Sequence, residues 1–367
     1  MALRTEELML NMGPQHPSTH GVLRLIVTLD GENIVDVQPD IGYLHSSVEK
    51  MMEHRTYVQN VALVDRGLDY LIALNNEEAY CLAVERLAGI RPPDRARYIR
   101  VLFCELNRIA SHLVWLGTWA IDLGATTVFL WCFREREAIL DLFERVTGGR
   151  LHHVYFRIGG VYADLPEGWS EQCGAFLDAF LPRVDEYEAL LTENPIFLAR
   201  VKGIGRIGRA DAIAMGASGP VARASGIAYD VRKAAPYEVY DAMEFDVPVL
   251  EDGDCFARYL VRLAEMRQSV RIIRQVLRAL PGGEIRTRVP MTMKAPRGEA
   301  FVQTESPRGD LGVHIVSDGG ETPYRVKVRA PSFSNLYALT EMMRGWKIAD
   351  VIAILGSIDI VLSDVDR

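Results

Sequence analysis

Nine consecutive positions, Gly13-Pro14-Gln15-His16-Pro17-Ser18-Thr19-His20-Gly21, bring two imidazoles and a hydroxyl pair together with chain-bending prolines and glycines. An imidazole can hold a metal, carry a proton near neutral pH or satisfy backbone groups, and these residues alone leave all three uses open. His16 and His20 stand four apart, a helical spacing, but Pro17 between them opposes a helix. A loop presenting His20 at the end of a strand is expected instead. Tyr70 follows Arg66-Gly67-Leu68-Asp69. Its phenol can donate a hydrogen bond or a proton to a carbonyl substrate, although packing is the commoner use of a tyrosine. Asp122 lies within the apolar stretch from Leu113 to Phe133. A carboxylate buried there must find a partner or lose its charge, which makes it a candidate tuner of a proton-carrying group. The plainer alternative is a helix end near Leu123-Gly124.

Other signals carry less. Gly203-Ile204-Gly205-Arg206-Ile207-Gly208 has the letters of a dinucleotide fingerprint. The context fails, because the fingerprint needs a hydrophobic strand before it and a helix after it, whereas Gly216, Gly219-Pro220 and Gly226 interrupt any such unit. Cys81, Cys104, Cys132, Cys173 and Cys255 are scattered without a CxxC pair, so neither a disulfide framework nor a cluster-binding set is expected. Small core residues in a reduced compartment fit better. The net charge of −8 argues against nucleic-acid binding, which needs a basic surface. Arginine outnumbers lysine, a bias suited to buried, bidentate ion pairs. The first residues lack the layout of an export signal, and the Leu113 to Phe133 stretch, broken by Asp122 and glycines, reads as buried protein rather than a membrane span.

The elements that must position these residues are mainly helical. Residues 8–45 predict β structure, with apolar alternation from Val22 to Leu29, a turn at Asp30-Gly31 and a strand from Ile34 to Val37. Helices are expected over Glu49–Asn60 and Glu77–Ala88. Between Arg97 and Leu116, the residues Leu102, Leu106, Ile109, Leu113 and Leu116 line one helix face. Further helices are expected over Arg134–Val146, stopped by Gly148-Gly149, and over Trp169–Leu191. Phe197–Pro248 reads as irregular backbone. Asp254 is a credible cap for a helix whose apolar stripe runs from Leu260 to Leu280 with arginines opposite. From Ala300 to Val328, the alternation of Val313, Ile315, Tyr324, Val326 and Val328 around Asp318-Gly319-Gly320 predicts a small β-hairpin unit, and the last thirty or so residues return to helix. The organisation is a β region at 1–45, a helical core at 46–280 that includes the irregular 197–248, and a hairpin-and-helix region at 281–367, all within one integrated domain. The fold class is α+β, mainly α: a helical bundle flanked by small antiparallel β units at both ends.

Several blocks together resemble the D subunit of NADH-quinone oxidoreductase, respiratory complex I. They are Gly13 to Arg24, Gly42-Tyr43-Leu44-His45 with Glu49-Lys50, Phe133-Arg134-Glu135-Arg136-Glu137, Arg157-Ile158-Gly159-Gly160-Val161, Arg223-Ala224-Ser225-Gly226 with Asp230 and Arg232-Lys233, Ser317-Asp318-Gly319, and Asp364-Val365-Asp366-Arg367. That family is similar to the large subunit of nickel-iron hydrogenases, whose metal is held by two CxxC pairs. The corresponding segments here, residues 66–71 and 359–364, contain no thiol. Soft thiolate ligands have no substitute in Leu, Tyr or Val, so a metal-free cavity is expected.

The resemblance implies a quinone head-group in that cavity, with Tyr70 and His20 each bonded to one carbonyl, His16 nearby, and Asp122 orienting and charging His20. It implies that His152 lies near the terminal tetranuclear iron-sulfur cluster of a neighbouring B subunit. The B, C and I subunits and the membrane H subunit of complex I are the implied partners, and the chain itself binds no cofactor alone. The resemblance further implies a peripheral position on the cytoplasmic side of the inner membrane and a part in proton translocation. The chain departs from the family pattern at an inserted residue near Gly67, at Ser46-Ser47 where many members have Arg-Gly, at Val128 and Leu130, and in a short region after Pro281. A hydrogenase-type large subunit and a non-catalytic assembly scaffold are the alternative readings.

Overall fold

The computed structural model describes residues 7–15 and 21–367. Its frame is a 29-residue helix, α4 (Asp94–Asp122). The residues picked out by their spacing, Leu102, Leu106, Ile109, Leu113 and Leu116, are all fully buried, because helix α5 (Thr126–Thr147) packs back along α4 and helix α11 (Cys255–Ala279) covers another side. The apolar stretch at 113–133 is thus shared between two helices, separated by the Leu123–Ala125 turn. Among the described residues no helix is long and apolar enough to cross a membrane.

At the N-terminal end, β1 (Glu7–Met12), β2 (Arg24–Asp30) and β3 (Asn33–Asp40) form an antiparallel sheet in chain order. Leu23, Leu25, Val27 and Leu29 alternate inward as the period of a strand requires. The expected single helix over Glu49–Asn60 is two helices, α1 (Val48–Met52) and α2 (Tyr57–Gly67). Thr56 and Gln59 form a reciprocal capping box that starts α2, and the Asn60 amide donates to the Met52 carbonyl at 2.9 Å, satisfying the end of α1. Helix α3 (Ala73–Ala88) begins four residues earlier than its periodicity suggested.

After α5, which ends on Gly148 in the left-handed region at φ 76°, two short strands, β4 (Phe156–Arg157) and β5 (Gly160–Val161), precede α6 (Trp169–Leu191). The segment expected to be irregular contains four short helices: α7 (Pro195–Val201), α8 (Arg209–Ala214), α9 (Gly219–Ala224) and α10 (Val231–Ala234). None repeats an apolar period often enough for the pattern to register. Asp254 caps α11 by accepting from the Ala257 amide at 2.7 Å. The arginines of α11 do not all face outward as expected: Arg258 and Arg262 are fully buried, while Arg267, Arg271 and Arg274 pair with surface carboxylates.

The C-terminal β unit is a three-stranded sheet, with β6 (Gly298–Ser306), β7 (Gly309–Ser317) and β8 (Arg325–Arg329) in that order. The expected hairpin is its second half; Val326 and Val328 point inward, but Tyr324 lies before β8 and is exposed. Helices α12 (Pro331–Met343), α13 (Val351–Ile358) and α14 (Leu362–Asp366) close the chain. The indoles of Trp115 and Trp119 donate to the carbonyls of Gly356 at 2.7 Å and Ala353 at 3.0 Å, pinning α13 to α4. All five cysteines are buried and unbridged. The observed class is mainly α with small antiparallel sheets at both ends, as the sequence predicts.

Candidate functional site

Residues 66–71 and 359–364 are far apart in the chain and adjacent in the fold. Tyr70 opens a 3₁₀ turn (Tyr70–Ile72) between α2 and α3, capped by the Asp69 carboxylate, which accepts from the Leu71 amide at 3.0 Å. Asn107 of α4 donates to the Leu71 carbonyl at 2.9 Å and Asn76 to the Asp69 carbonyl at 2.8 Å, so the turn rests on two buried amides. From the other end of the chain, Asp359 follows α13 in the left-handed region at φ 56°, a conformation Asp tolerates better than most residues. The Ser363 hydroxyl then donates to the Leu68 carbonyl.

Between the segments lies Arg308, in the turn joining β6 and β7. Its guanidinium reaches Asp69 Oδ2 at 2.6 Å and Asp359 Oδ1 at 3.2 Å, and it donates to Ser111 Oγ at 3.1 Å. Ser332 of α12 donates its amide to Asp364 Oδ2 at 3.1 Å. Three buried carboxylates therefore face one another around a single buried guanidinium. Burial pushes the Asp69 carboxyl up, Arg308 pulls it down, Asp364 and Asp359 push it up again, and the balance lies at about 7. Tyr70 feels the same surroundings: burial first and the charge of Asp69 second hold its phenol above the usual tyrosine range, against Arg308. Tyr70 nevertheless keeps 40% of its surface exposed, so the phenol is reachable at the edge of an otherwise closed cluster.

His16 and His20 lie outside the described residues. Gly21, the next residue after His20, is described: a side chain built there would meet Leu362 at 3.7 Å, which brings the end of the motif against the 359–364 segment. Asp122 is the last residue of α4 and only partly buried, so the helix-end alternative describes its place in the chain. It stands fifteen residues, about 22 Å of helix rise, beyond the Asn107 that carries the Tyr70 turn. Tyr70 and Asp122 are therefore mounted at separate points of one rigid helix. His152 is exposed, with Nδ1 3.5 Å from the buried Asp65 of α2. Burial raises the Asp65 carboxyl, while the charge of His152 and the His153 amide lower it. Because α2 runs from Asp65 to the residue before Leu68, one helix links the His152 side to the Tyr70 side.

The residues that reading the sequence missed are Arg308, Asp359 and Asp364, with Asp69 noticed only as the neighbour of Tyr70. A second buried network was also unforeseen as a unit. Glu105 meets Arg108, Arg232, Ser269 and Tyr240, while Arg223 ties Glu265 to Glu305, and His112 contacts Glu265 at 3.0 Å. The signal available was the excess of arginine over lysine, which suggested buried ion pairs without locating them. The short motifs have structural jobs too. Gly42 and Leu44 donate backbone amides to the Asp366 carboxylate at 2.8 and 2.7 Å, and Glu49 holds Arg325, Lys327 and Arg367. Blocks from opposite ends of the chain are thereby fastened together.

The family model described as respiratory-chain NADH dehydrogenase, 49 Kd subunit, matches residues 122–294 and 287–367. The D subunit of NADH-quinone oxidoreductase from Desulforamulus reducens is 52% identical over 366 residues, covering 100% of both chains. The protein of the same name from Dehalococcoides mccartyi is 52% identical over 368 residues, again covering 100% of each. The H subunit of NAD(P)H-quinone oxidoreductase from Thermosynechococcus vestitus is 50% identical over 389 residues, covering 99% of this chain and 98% of its own. With a family model spanning most of the chain and full-length relatives at half identity, the chain belongs to the 49 Kd subunit family of respiratory-chain NADH dehydrogenase, the D subunit of complex I.

Proposed function

We propose that this chain, together with the B subunit of the same complex, forms the cavity in which a quinone is reduced. The observation that carries this reading is the placement of Tyr70: a phenol left reachable at the seam of segments 66–71 and 359–364, on a turn held by three hydrogen bonds. Reducing a quinone places negative charge on its two oxygens, and pre-positioned donors aimed at those oxygens stabilise that charge and deliver protons. In this reading Tyr70 serves one oxygen and His20 the other. Asp122 orients and charges His20, and His16 lines the approach. Electrons arrive from the iron-sulfur cluster of the B subunit, which His152 tunes through its charge. The C, I and H subunits are the further partners, and the chain sits peripherally on the cytoplasmic side of the membrane without a cofactor of its own.

The Arg308 guanidinium supports this reading over a nickel-holding large subunit. It occupies the seam between the two segments, paired to Asp69 and Asp359, and neither segment offers a thiolate to hold nickel. Stoichiometric nickel in the purified complex would favour the hydrogenase reading instead.

The decisive substitution is Tyr70→Phe in the assembled, membrane-bound complex. Loss of a positioned proton donor should lower quinone reductase turnover by about 100-fold, with the complex still assembled and electron entry elsewhere in it intact. Normal turnover in that variant would leave the chain a scaffold.

A further inference from the structure

His152 and His153 are adjacent in the chain and face opposite ways. The His153 ring is buried, edge-on to Phe143 of α5 at 4.9 Å between ring centroids, with Nδ1 3.4 Å from Thr147 Oγ1. The His152 ring is exposed. A slip of one residue along this segment would exchange the two, so its course must be fixed. Regular structure does little of that work, because β4 and β5 pair over only two residues each. Buried charged side chains act instead. Asp65 of α2 accepts from the His153 amide at 3.2 Å, and one oxygen of Glu77 of α3 accepts from the Tyr155 and Phe156 amides at 3.0 and 2.6 Å. Further along, Glu85 of α3 accepts from the Gly159 amide at 2.7 Å, while Arg100 of α4 donates to the carbonyls of Arg157 at 2.8 Å and Gly160 at 3.1 Å.

The backbone held in this way would not hold itself. Val154 lies between the amide taken by Asp65 and those taken by Glu77, and it sits at φ 42°. A β-branched residue adopts that left-handed conformation only where its surroundings over-determine it. Asp65 and Glu77, both fully buried, supply those surroundings on either side. One oxygen of Asp65 is then left over. Oδ2 has no hydrogen-bond partner among the described residues, and it lies 3.5 Å from His152 Nδ1.

We propose that Asp65 and Glu77 are the positioning residues of His152: Glu77 fixes the course of the backbone that carries it, and Asp65 holds its imidazole in one orientation. This inference rests on the reading of His152 as the residue that tunes the neighbouring iron-sulfur cluster, and deepens it. A carboxylate at one ring nitrogen sets which way an imidazole points. With Nδ1 turned to Asp65, Nε2 is the nitrogen left for the exposed side. Orientation matters because the effect of a charge depends on its distance. An exposed imidazole free to swing would meet the cluster at many distances, whereas one held against a buried carboxylate meets it at one.

The test is a double-mutant cycle on the midpoint potential of the cluster, read by redox titration and electron paramagnetic resonance in the assembled complex. His152→Ala is made alone and together with Asp65→Asn. Asn still accepts from the His153 amide through its carbonyl oxygen, so only the carboxylate facing His152 is removed. H152A should shift the potential in the unaltered background, and that shift should be largely lost in D65N. Glu77→Leu removes the acceptor of two amides and should lose the H152A shift too, whereas Glu77→Gln keeps an acceptor and should retain it. An undiminished shift in D65N or in E77L overturns the inference and leaves the reading of His152 intact. If H152A has no effect in the unaltered background, that reading falls and the inference with it. Should D65N and E77L not assemble, Val154→Gly decides, because glycine adopts the left-handed conformation without strain. With the carboxyls holding the segment, the H152A shift must survive V154G; its loss would assign the positioning to Val154 and overturn the proposal.

Discussion

The Ser363 hydroxyl donates to the backbone carbonyl of Leu68, 295 positions earlier in the chain. This contact joins the segment that carries Tyr70 directly to the segment that follows α13, and it bonds backbone on one side, so its geometry does not depend on a second side chain. Ser363→Ala should cost about 1 kcal/mol of local hydrogen bonding and let the two segments separate slightly. The expected readout is a rise of about five-fold in KM for a short-chain quinone, with assembly unchanged. Identical kinetics would show that the seam does not shape the binding cavity.

Gly219 makes a sharper prediction. It sits at φ +62°, and a Cβ there would lie 2.5 Å from the Arg308 carbonyl oxygen. Gly219→Ala must push the β6–β7 turn away and draw Arg308 from Asp69 and Asp359, so quinone reductase activity should fall more than about ten-fold, in line with loss of a partner from a buried ion pair. Gly89→Ala is the control. Gly89 has a similar φ of +67° but nothing within 4 Å of a new Cβ, so only backbone strain of about 1 kcal/mol is expected, visible in thermal inactivation and not in turnover. Equal effects on activity would refute the steric argument.

Much of the fold was legible because it follows short periods. The α4 stripe, the Trp169–Leu191 helix and the Asp254 cap could be read from spacing and cap chemistry alone. The break between α1 and α2 was hidden because Thr56 and Gln59 act through a local hydrogen-bond exchange, not through periodicity. β6 fell inside the expected Ala300–Val328 unit but was not separated as a strand of its own: both faces of its C-terminal half are buried, so Thr304, Glu305 and Ser306 give no alternation. The site was half legible. Tyr70 could be named from its motif, whereas Arg308 is brought to it only by the pairing of β6 with β7 and the packing of α9 and α12 around their turn. No local pattern encodes a contact that needs the whole fold.

His152, set against Asp65 near the C-terminal end of α2, offers a separate test. If its imidazolium faces the neighbouring iron-sulfur cluster, His152→Ala removes a positive charge, and the cluster becomes harder to reduce. Its midpoint potential should then become more negative by some tens of millivolts, about 59 mV per ten-fold change in a one-electron equilibrium. Redox titration followed by electron paramagnetic resonance reads the change. An unmoved potential would place His152 too far from the cluster to tune it, with its contact to Asp65 serving structure only.

The two buried networks should stamp opposite pH limbs on stability. For Glu105, burial opposes ionisation, but Arg108, Arg232, Ser269 and Tyr240 outweigh it and bring the carboxyl down to about 2. Asp230, also resisted by burial, is pulled to about 2 by Arg232 and Arg223. Both folded values lie below the unfolded ones of about 4, so each contributes stability that is fully present above about pH 5 and lost as pH falls toward about 2. Asp69 runs the other way: its folded value near 7 lies above the unfolded one of about 4, so its contribution is complete below about pH 4, falls as pH rises from there, and is fully lost once pH passes about 7. Scanning calorimetry of the assembled complex should therefore show the transition of this subunit strongest on a narrow plateau around about pH 5, weakening below it and again as pH rises from there to about 7. Asp69→Asn should remove the alkaline limb alone. Glu105→Gln should lower the plateau by about 3 kcal/mol, because Arg108 and Arg232 lose their shared carboxylate, and should flatten the acid limb. A D69N variant that still lost stability between about pH 5 and 7 would assign that limb to another group and leave Asp69 permanently ionised.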